Sequence, residues 1–98
     1  MGQPLIWSYR QIADLTTAAG LPDLAPHKDA LFVRVKAEGG DIRYRLDYQD
    51  PNGATGVGLL LGDGDEIELS TIEMAGARFH AATSSPTLHC HYKMTAIM

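Results

Sequence analysis

The sequence predicts an all-β fold, a compact β-sandwich or jelly-roll with an extended N-terminal arm, on three observations. After Pro26, apolar and polar residues alternate with period two over short runs. Those runs are punctuated by Gly39-Gly40, by D-P-N-G ending at Gly53, by G-D-G-D ending at Asp65 and by S-S-P ending at Pro86, each a turn signal. No segment after Pro26 carries a helical pattern, and short strands at this spacing are the grammar of sandwiches and jelly-rolls. The whole chain of 98 residues forms one domain, with residues 1–10 as the arm and 11–98 as the β core.

Met1 to Pro26 has the weakest periodicity and three prolines, Pro4, Pro22 and Pro26. It is read as an arm leading into a strand near Gln11 to Ala18. A short helix from Ser8 to Ala19, capped by Ser8 and ended by Gly20, competes with that strand. The next strand is Ala30 to Ala37, where Leu31, Val33, Val35 and Ala37 alternate with Phe32, Arg34 and Lys36. Asp41 to Tyr48 follows, with Ile42, Tyr44 and Leu46 alternating with Arg43, Arg45 and Asp47.

Gly39-Gly40 between them predicts a two-residue hairpin turn. In that register Lys36 opposes Arg43 and Arg34 opposes Arg45, giving two like-charge pairs, each unfavourable by up to roughly 1 kcal/mol. The cationic face therefore needs anions. The remaining strands are Gly56 to Leu61, Glu66 to Ser70, Ala75 to Ala82 and Thr87 to Met94. Glu66 and Glu68 have the two-residue spacing of Arg43 and Arg45, so a cross-strand ladder is expected to neutralise part of the basic hairpin face, at about 0 to 1 kcal/mol per exposed pair.

A domain of this size buries about 65% of the surface its unfolded chain exposes. Docking on a larger assembly would add stability. A net charge of −4 argues against nucleic-acid binding through a generally basic surface. The single cysteine excludes an intrachain disulfide and a CxxC framework, and fits synthesis in a reducing cytoplasm. There is no apolar run long enough for a transmembrane helix, no signal-peptide pattern at the N-terminus, and Ile6 stands where myristoylation needs Ser or Thr.

Chemistry-bearing residues are sparse. Asp63, Asp65, Glu66 and Glu68 lack the spacing of a calcium loop and are read as a turn followed by two strand glutamates. His89 and His91 lie on one strand face, Cys90 on the other, so the three cannot share a metal; weak chelation by the two histidines with His80 is the remaining metal possibility, and a polar outer face with buried Cys90 is preferred. No G-x-S-x-G elbow is present, and G-V-G-L-L-L-G is not followed by a helical pattern, so no catalytic residue, cofactor or metal ligand is assigned and the protein is expected not to be an enzyme. Among the aromatics, Tyr44, Tyr48, Phe79 and Tyr92 are assigned to packing, whereas Trp7, beside Leu5 and Ile6, is read as an anchor for another subunit.

The segment D-I-R-Y-R-L-D-Y-Q-D-P-N-G-A-T-G-V-G-L-L-L, with A-R-F-H-A-A and T-L-H-C-H-Y downstream, resembles small all-β virion proteins of tailed bacteriophages. The resemblance runs from about Gln11 to Tyr92. It implies a capsid decoration or cement protein, or another head or tail accessory protein, bound to the major capsid protein on the virion surface as a homo-oligomer, without membrane or nucleic-acid partners. The interface residues expected are Leu5, Ile6, Trp7, Tyr9, Arg34, Lys36, Arg43 and Arg45, with the arm ordering on contact. Two departures from the family pattern are the D-Y-Q-D-P-N turn, where the family has a compact D-G-T-D-P-T turn, and the histidines of the last strand, which would tune an interface to pH. The Y-x-L-D-x-x-D-P segment also resembles the immunoglobulin-like C-terminal modules of chitobiase-type glycosidases and adhesins, which would imply carbohydrate binding.

Overall fold

The computed structural model describes residues 5–21, 30–83 and 85–95. They form two four-stranded antiparallel sheets packed as a sandwich, with one short helix. The first sheet has the order β1 (Leu5–Ile12), β8 (Thr87–Thr95), β3 (Ala30–Glu38), β6 (Glu66–Ser70). The second has the order β2 (Ala19–Gly20), β7 (Arg78–Ala81), β4 (Ile42–Arg45), β5 (Leu59–Leu61). Helix α1 (Thr71–Gly76) carries the chain from β6 to β7.

Alternation decides which side chains enter the core. Val33, Val35 and Ala37 of β3 and Leu88, Cys90 and Tyr92 of β8 are buried from one side, meeting Ile42, Leu61 and Phe79 from the other. Cys90 is wholly buried, and its thiol is pushed up to about 12 by desolvation, so it behaves as a small hydrophobe as expected. At the start of β3 a bulge between Ala30 and Phe32 breaks the alternation. Ala30 is buried and Leu31 exposed, so Leu31 does not share the core face of Val33.

The predicted Gly39-Gly40 hairpin does not form. β3 pairs with β6 and β8, whereas β4 pairs with β5 and β7, so the two glycines carry the chain from one sheet to the other. Three such crossings meet at one end of the sandwich. Asp41 accepts the Ala82 amide through its backbone oxygen at 2.8 Å and the Asp63 amide through its carboxylate at 2.8 Å. Asp63 in turn accepts the Gly39 amide at 3.0 Å, and Asp65 the Gly62 amide at 3.0 Å. The acidic turn is therefore used to bind backbone donors where strands change sheets. Gly40 is required here because a Cβ would stand 2.6 Å from the Thr83 carbonyl oxygen.

The remaining boundaries differ at the segment ends. Leu5–Ile12, expected as the end of an arm and the start of a strand, is an edge strand paired with β8 over its whole length. Neither a strand over 11–18 nor a helix over 8–19 forms; the chain leaves β1 at Ile12, buries Leu15 and forms only the two-residue β2. Helix α1 occupies part of the strand expected over 75–82. Its cause is the S-T-I-E sequence. Ser70 caps the Glu73 amide while the Glu73 carboxylate accepts the Ser70 amide at 2.8 Å, a reciprocal capping box.

Candidate docking face

Antiparallel pairing places Trp7 opposite Lys93, Tyr9 opposite His91 and Gln11 opposite His89 on the outer face of the first sheet. β3 adds Arg34 opposite His91 and Lys36 opposite His89, and β6 adds Glu68 opposite Arg34 and Glu66 opposite Lys36. The result is one surface in which aromatic rings, imidazoles and cations from three adjacent strands touch.

Trp7 is its centre. The ring packs against His91 at a centroid distance of 4.3 Å and meets Phe32 edge-on at 5.8 Å. The Lys93 ammonium lies 4.5 Å from the Trp7 ring centroid and the Arg34 guanidinium 5.9 Å. Exposed cation–π contacts of this kind contribute about 0.5–1 kcal/mol each and hold the indole in a fixed pose. Tyr9 stacks on His89 and hydrogen-bonds to its Nδ1. The other nitrogen, Nε2, lies 3.0 Å from the Glu38 carboxylate. An ionised carboxylate only accepts, so Nε2 donates to Glu38, while the Tyr9 hydroxyl also donates to Gln11 Oε1 at 3.0 Å. The Tyr9–His89–Glu38 chain thereby fixes both rings.

Tyr9, Arg34, Lys36, Glu66, His89 and His91 enclose a solvent-open depression of about 200 Å³. Arg34 faces Glu68 at 3.7 Å and Glu66 at 3.9 Å, both with exposed side chains, so these pairs are weak. Among the described residues, Lys36 makes no ion pair and His91 no hydrogen bond.

Of the interface residues expected from sequence, Trp7, Tyr9, Arg34 and Lys36 come together here. Leu5 and Ile6 continue the same edge strand by backbone pairing with Thr95 and Met94; their side chains lie outside the described residues. Arg43 and Arg45 do not join them, because β4 belongs to the opposite sheet. Arg43 donates to the Gly58 carbonyl at 3.1 Å, leaving its Nε buried without a partner. Arg45 lies opposite Arg78, a like-charge pair relieved by Asp47 and Asp50. Asp47 receives both Arg45 Nε and a terminal guanidinium nitrogen, at 2.9 and 2.5 Å, and this pairing holds its carboxyl below the usual carboxylate range. The D-Y-Q-D turn thus supplies the anions for this face, while Glu66 and Glu68 serve the cations of β3 rather than those of β4.

Lys93, Phe32 and Glu38 were absent from the expected interface, and His89 and His91 entered it only as residues that would tune it to pH. The T-L-H-C-H-Y-K alternation already placed the histidines and Lys93 on one face; their meeting with Trp7 depends on β1 pairing with β8, which local sequence does not encode. His80 lies on the opposite sheet, where its Nδ1 accepts the Gly53 amide at 2.9 Å, so it does not join His89 and His91. Among the described residues no group of three or more His, Cys, Asp or Glu side chains is placed to hold a metal ion. No helix among them is long and apolar enough to cross a membrane.

A second surface is formed by the β5 edge, where Leu59, Leu60 and nearby Val57 are exposed. Beside it Tyr44, Leu46, Gly58 and Leu59, with the Arg45–Asp47 pair, line an open depression of about 250 Å³. No family model, curated protein or solved structure matches the chain.

Proposed function

We propose that this chain is a non-enzymatic structural protein of a tailed-bacteriophage virion, a capsid decoration or cement subunit that docks through the outer face of the β1–β8–β3–β6 sheet. The observation that carries this reading is the cluster of Trp7, Tyr9, Phe32, His91, Lys93 and Arg34 in mutual contact on one sheet face. Trp, Tyr and Arg are the residue types that dominate binding energy at protein interfaces, and fixing their rotamers beforehand reduces the entropy lost on docking. The resemblance carried by D-I-R-Y-R-L-D-Y-Q-D-P supports a virion as the setting, and many weak sites acting together on a lattice give tight attachment. The major capsid protein is the proposed partner, and homo-oligomerisation would raise avidity further.

Because Leu5–Ile12 is an integral edge strand, deleting the residues before Gln11 would remove most of β1 along with any contact. Point variants are the cleaner test. Trp7→Ala is expected to weaken co-sedimentation with empty capsids of the cognate phage by at least tenfold while the β circular dichroism is retained; unchanged co-sedimentation overturns the docking face.

The exposed Tyr9 and half-exposed Trp7 also favour a second reading, a carbohydrate-binding or adhesion module. Against it, Trp7 already contacts His91, Lys93, Phe32 and Arg34 rather than offering an unoccupied stacking platform. Specific hits on a glycan array without capsid attachment would establish that reading instead.

A further inference from the structure

We propose that the depression between Tyr9, Arg34, Lys36, Glu66, His89 and His91 is a carboxylate pocket, which seats an aspartate or glutamate side chain projecting from the docked protein partner. This rests on the docking reading above and names the chemistry of its central contact. Two fixed cations, Arg34 and Lys36, line the depression against one carboxylate, Glu66. The donors are also unevenly committed. His89 is saturated by Tyr9 and Glu38, and the Arg34 Nε is turned toward Glu66 and Glu68. Lys36 has no ion-pair partner and the His91 ring nitrogens no hydrogen-bond partner among the described residues.

The balance of fixed charge selects the class of anion. Within the lining itself one excess positive charge complements a monoanion, and the Glu66 carboxylate there disfavours a dianionic phosphate or a polyanionic backbone. A carboxylate entering between Lys36, Arg34 and His91 gains charge-assisted hydrogen bonds, which are stronger than neutral ones. Its aliphatic stem would lie beside Tyr9. Charge complementarity in this position fixes docking register as well as affinity.

The test is a nitrogen-15 NMR titration of the whole chain with the capped tripeptide acetyl-Gly-Glu-Gly-amide, a monoanion, its glutamine counterpart and inorganic phosphate. Saturable shifts are expected at Tyr9, Arg34, Lys36 and His91 with the glutamate peptide, at least fivefold tighter than with the glutamine peptide or phosphate. Lys36→Ala should weaken the binding at least fivefold, and Arg45→Ala on the opposite sheet should leave it unchanged. Equal binding of the two peptides, tighter binding of phosphate, or an unaffected Lys36→Ala variant with a native spectrum overturns the pocket. Capsid co-sedimentation separates the two levels. Capsid binding without peptide selectivity defeats the pocket and leaves the docking role standing, while peptide selectivity without capsid binding supports the pocket and defeats the virion role.

Discussion

Replacing Gly53 by alanine tests the packing of the D-P-N-G loop against β7. A Cβ at Gly53 would stand 1.8 Å from the Ala81 carbonyl oxygen and 2.6 Å from both the Ala81 carbonyl carbon and the Ala82 Cα. All three are backbone atoms and cannot swing aside as a long side chain would. The loop must retreat by more than about 1 Å to reach even a tight contact. That movement breaks the Gly53 amide bond to His80 Nδ1, now 2.9 Å, and strains the paired hydrogen bonds between Asn52 and Val57, each 2.9 Å. Overpacking costs about 1–3 kcal/mol and the lost bond about 1 kcal/mol, giving roughly 2–4 kcal/mol. For a domain of this size each kcal/mol lowers Tm by about 4–8 °C, so a fall of about 8–32 °C is expected.

Gly64→Ala is the matched control. Nothing lies within 4 Å of its Cβ position, but its φ is +86°, so only the backbone term of about 1–2 kcal/mol applies. Differential scanning calorimetry of both variants measures the contrast. If Gly53→Ala melts no lower than Gly64→Ala, close packing of the loop is not what requires glycine at position 53.

Phe79→Ala, which empties the largest apolar side chain of β7 from the core, should cost about 3–5 kcal/mol by urea unfolding. Ser70→Ala should cost about 0.5–2 kcal/mol through loss of the α1 cap. Hydrogen bonds from Ser70 hold the Glu73 carboxyl below the ordinary glutamate value of 4.5, so its contribution is complete above about pH 4.5 and disappears as pH falls through the lower folded-state value. Glu73→Gln should flatten that part of the acid unfolding curve. The Cys90 thiol is raised to about 12 from an ordinary value of 9.0, so its stabilising term is full below pH 9 and is lost as pH rises toward 12. Ellman's reagent should accordingly fail to label the native protein at pH 8 and label it fully in denaturant; rapid native labelling contradicts a buried Cys90.

Period-two patterning revealed the inward-facing residues of β3 and β8 and the span of β6, because side-chain alternation is local to a strand. It did not reveal strand partners, which depend on which apolar faces meet across the sandwich. Gly39-Gly40 carries the same local chemistry whether it closes a hairpin or crosses between sheets. The like-charge register of Lys36 with Arg43 and Arg34 with Arg45 was a physical warning against the hairpin. In the structure Arg34 and Lys36 oppose Glu68 and Glu66, while Arg45 takes Asp47. Helix α1 was legible in Ser70 and Glu73, but its last two residues fall within the strand expected over 75–82. Half of the docking face was legible as well. Trp7 and Tyr9 stood out as unassigned aromatics, yet their meeting with the histidines required the pairing of two segments far apart in sequence.

That pairing also sets the order of assembly during synthesis. Among the described strands β8 is the last in sequence, yet it lies between β1 and β3 in the finished sheet. Until residues 87–95 leave the ribosome, β1 has no neighbour in its own sheet, and Val33 and Val35 lack the flank provided by Tyr92 and Cys90. Contacts joining such distant segments form slowly, and strands waiting for a partner are exposed to pairing with other chains. Premature chain termination before Thr87 therefore yields an aggregation-prone polypeptide rather than a smaller working domain. The proposed docking face comes into existence only once residues 87–95 pair with both β1 and β3.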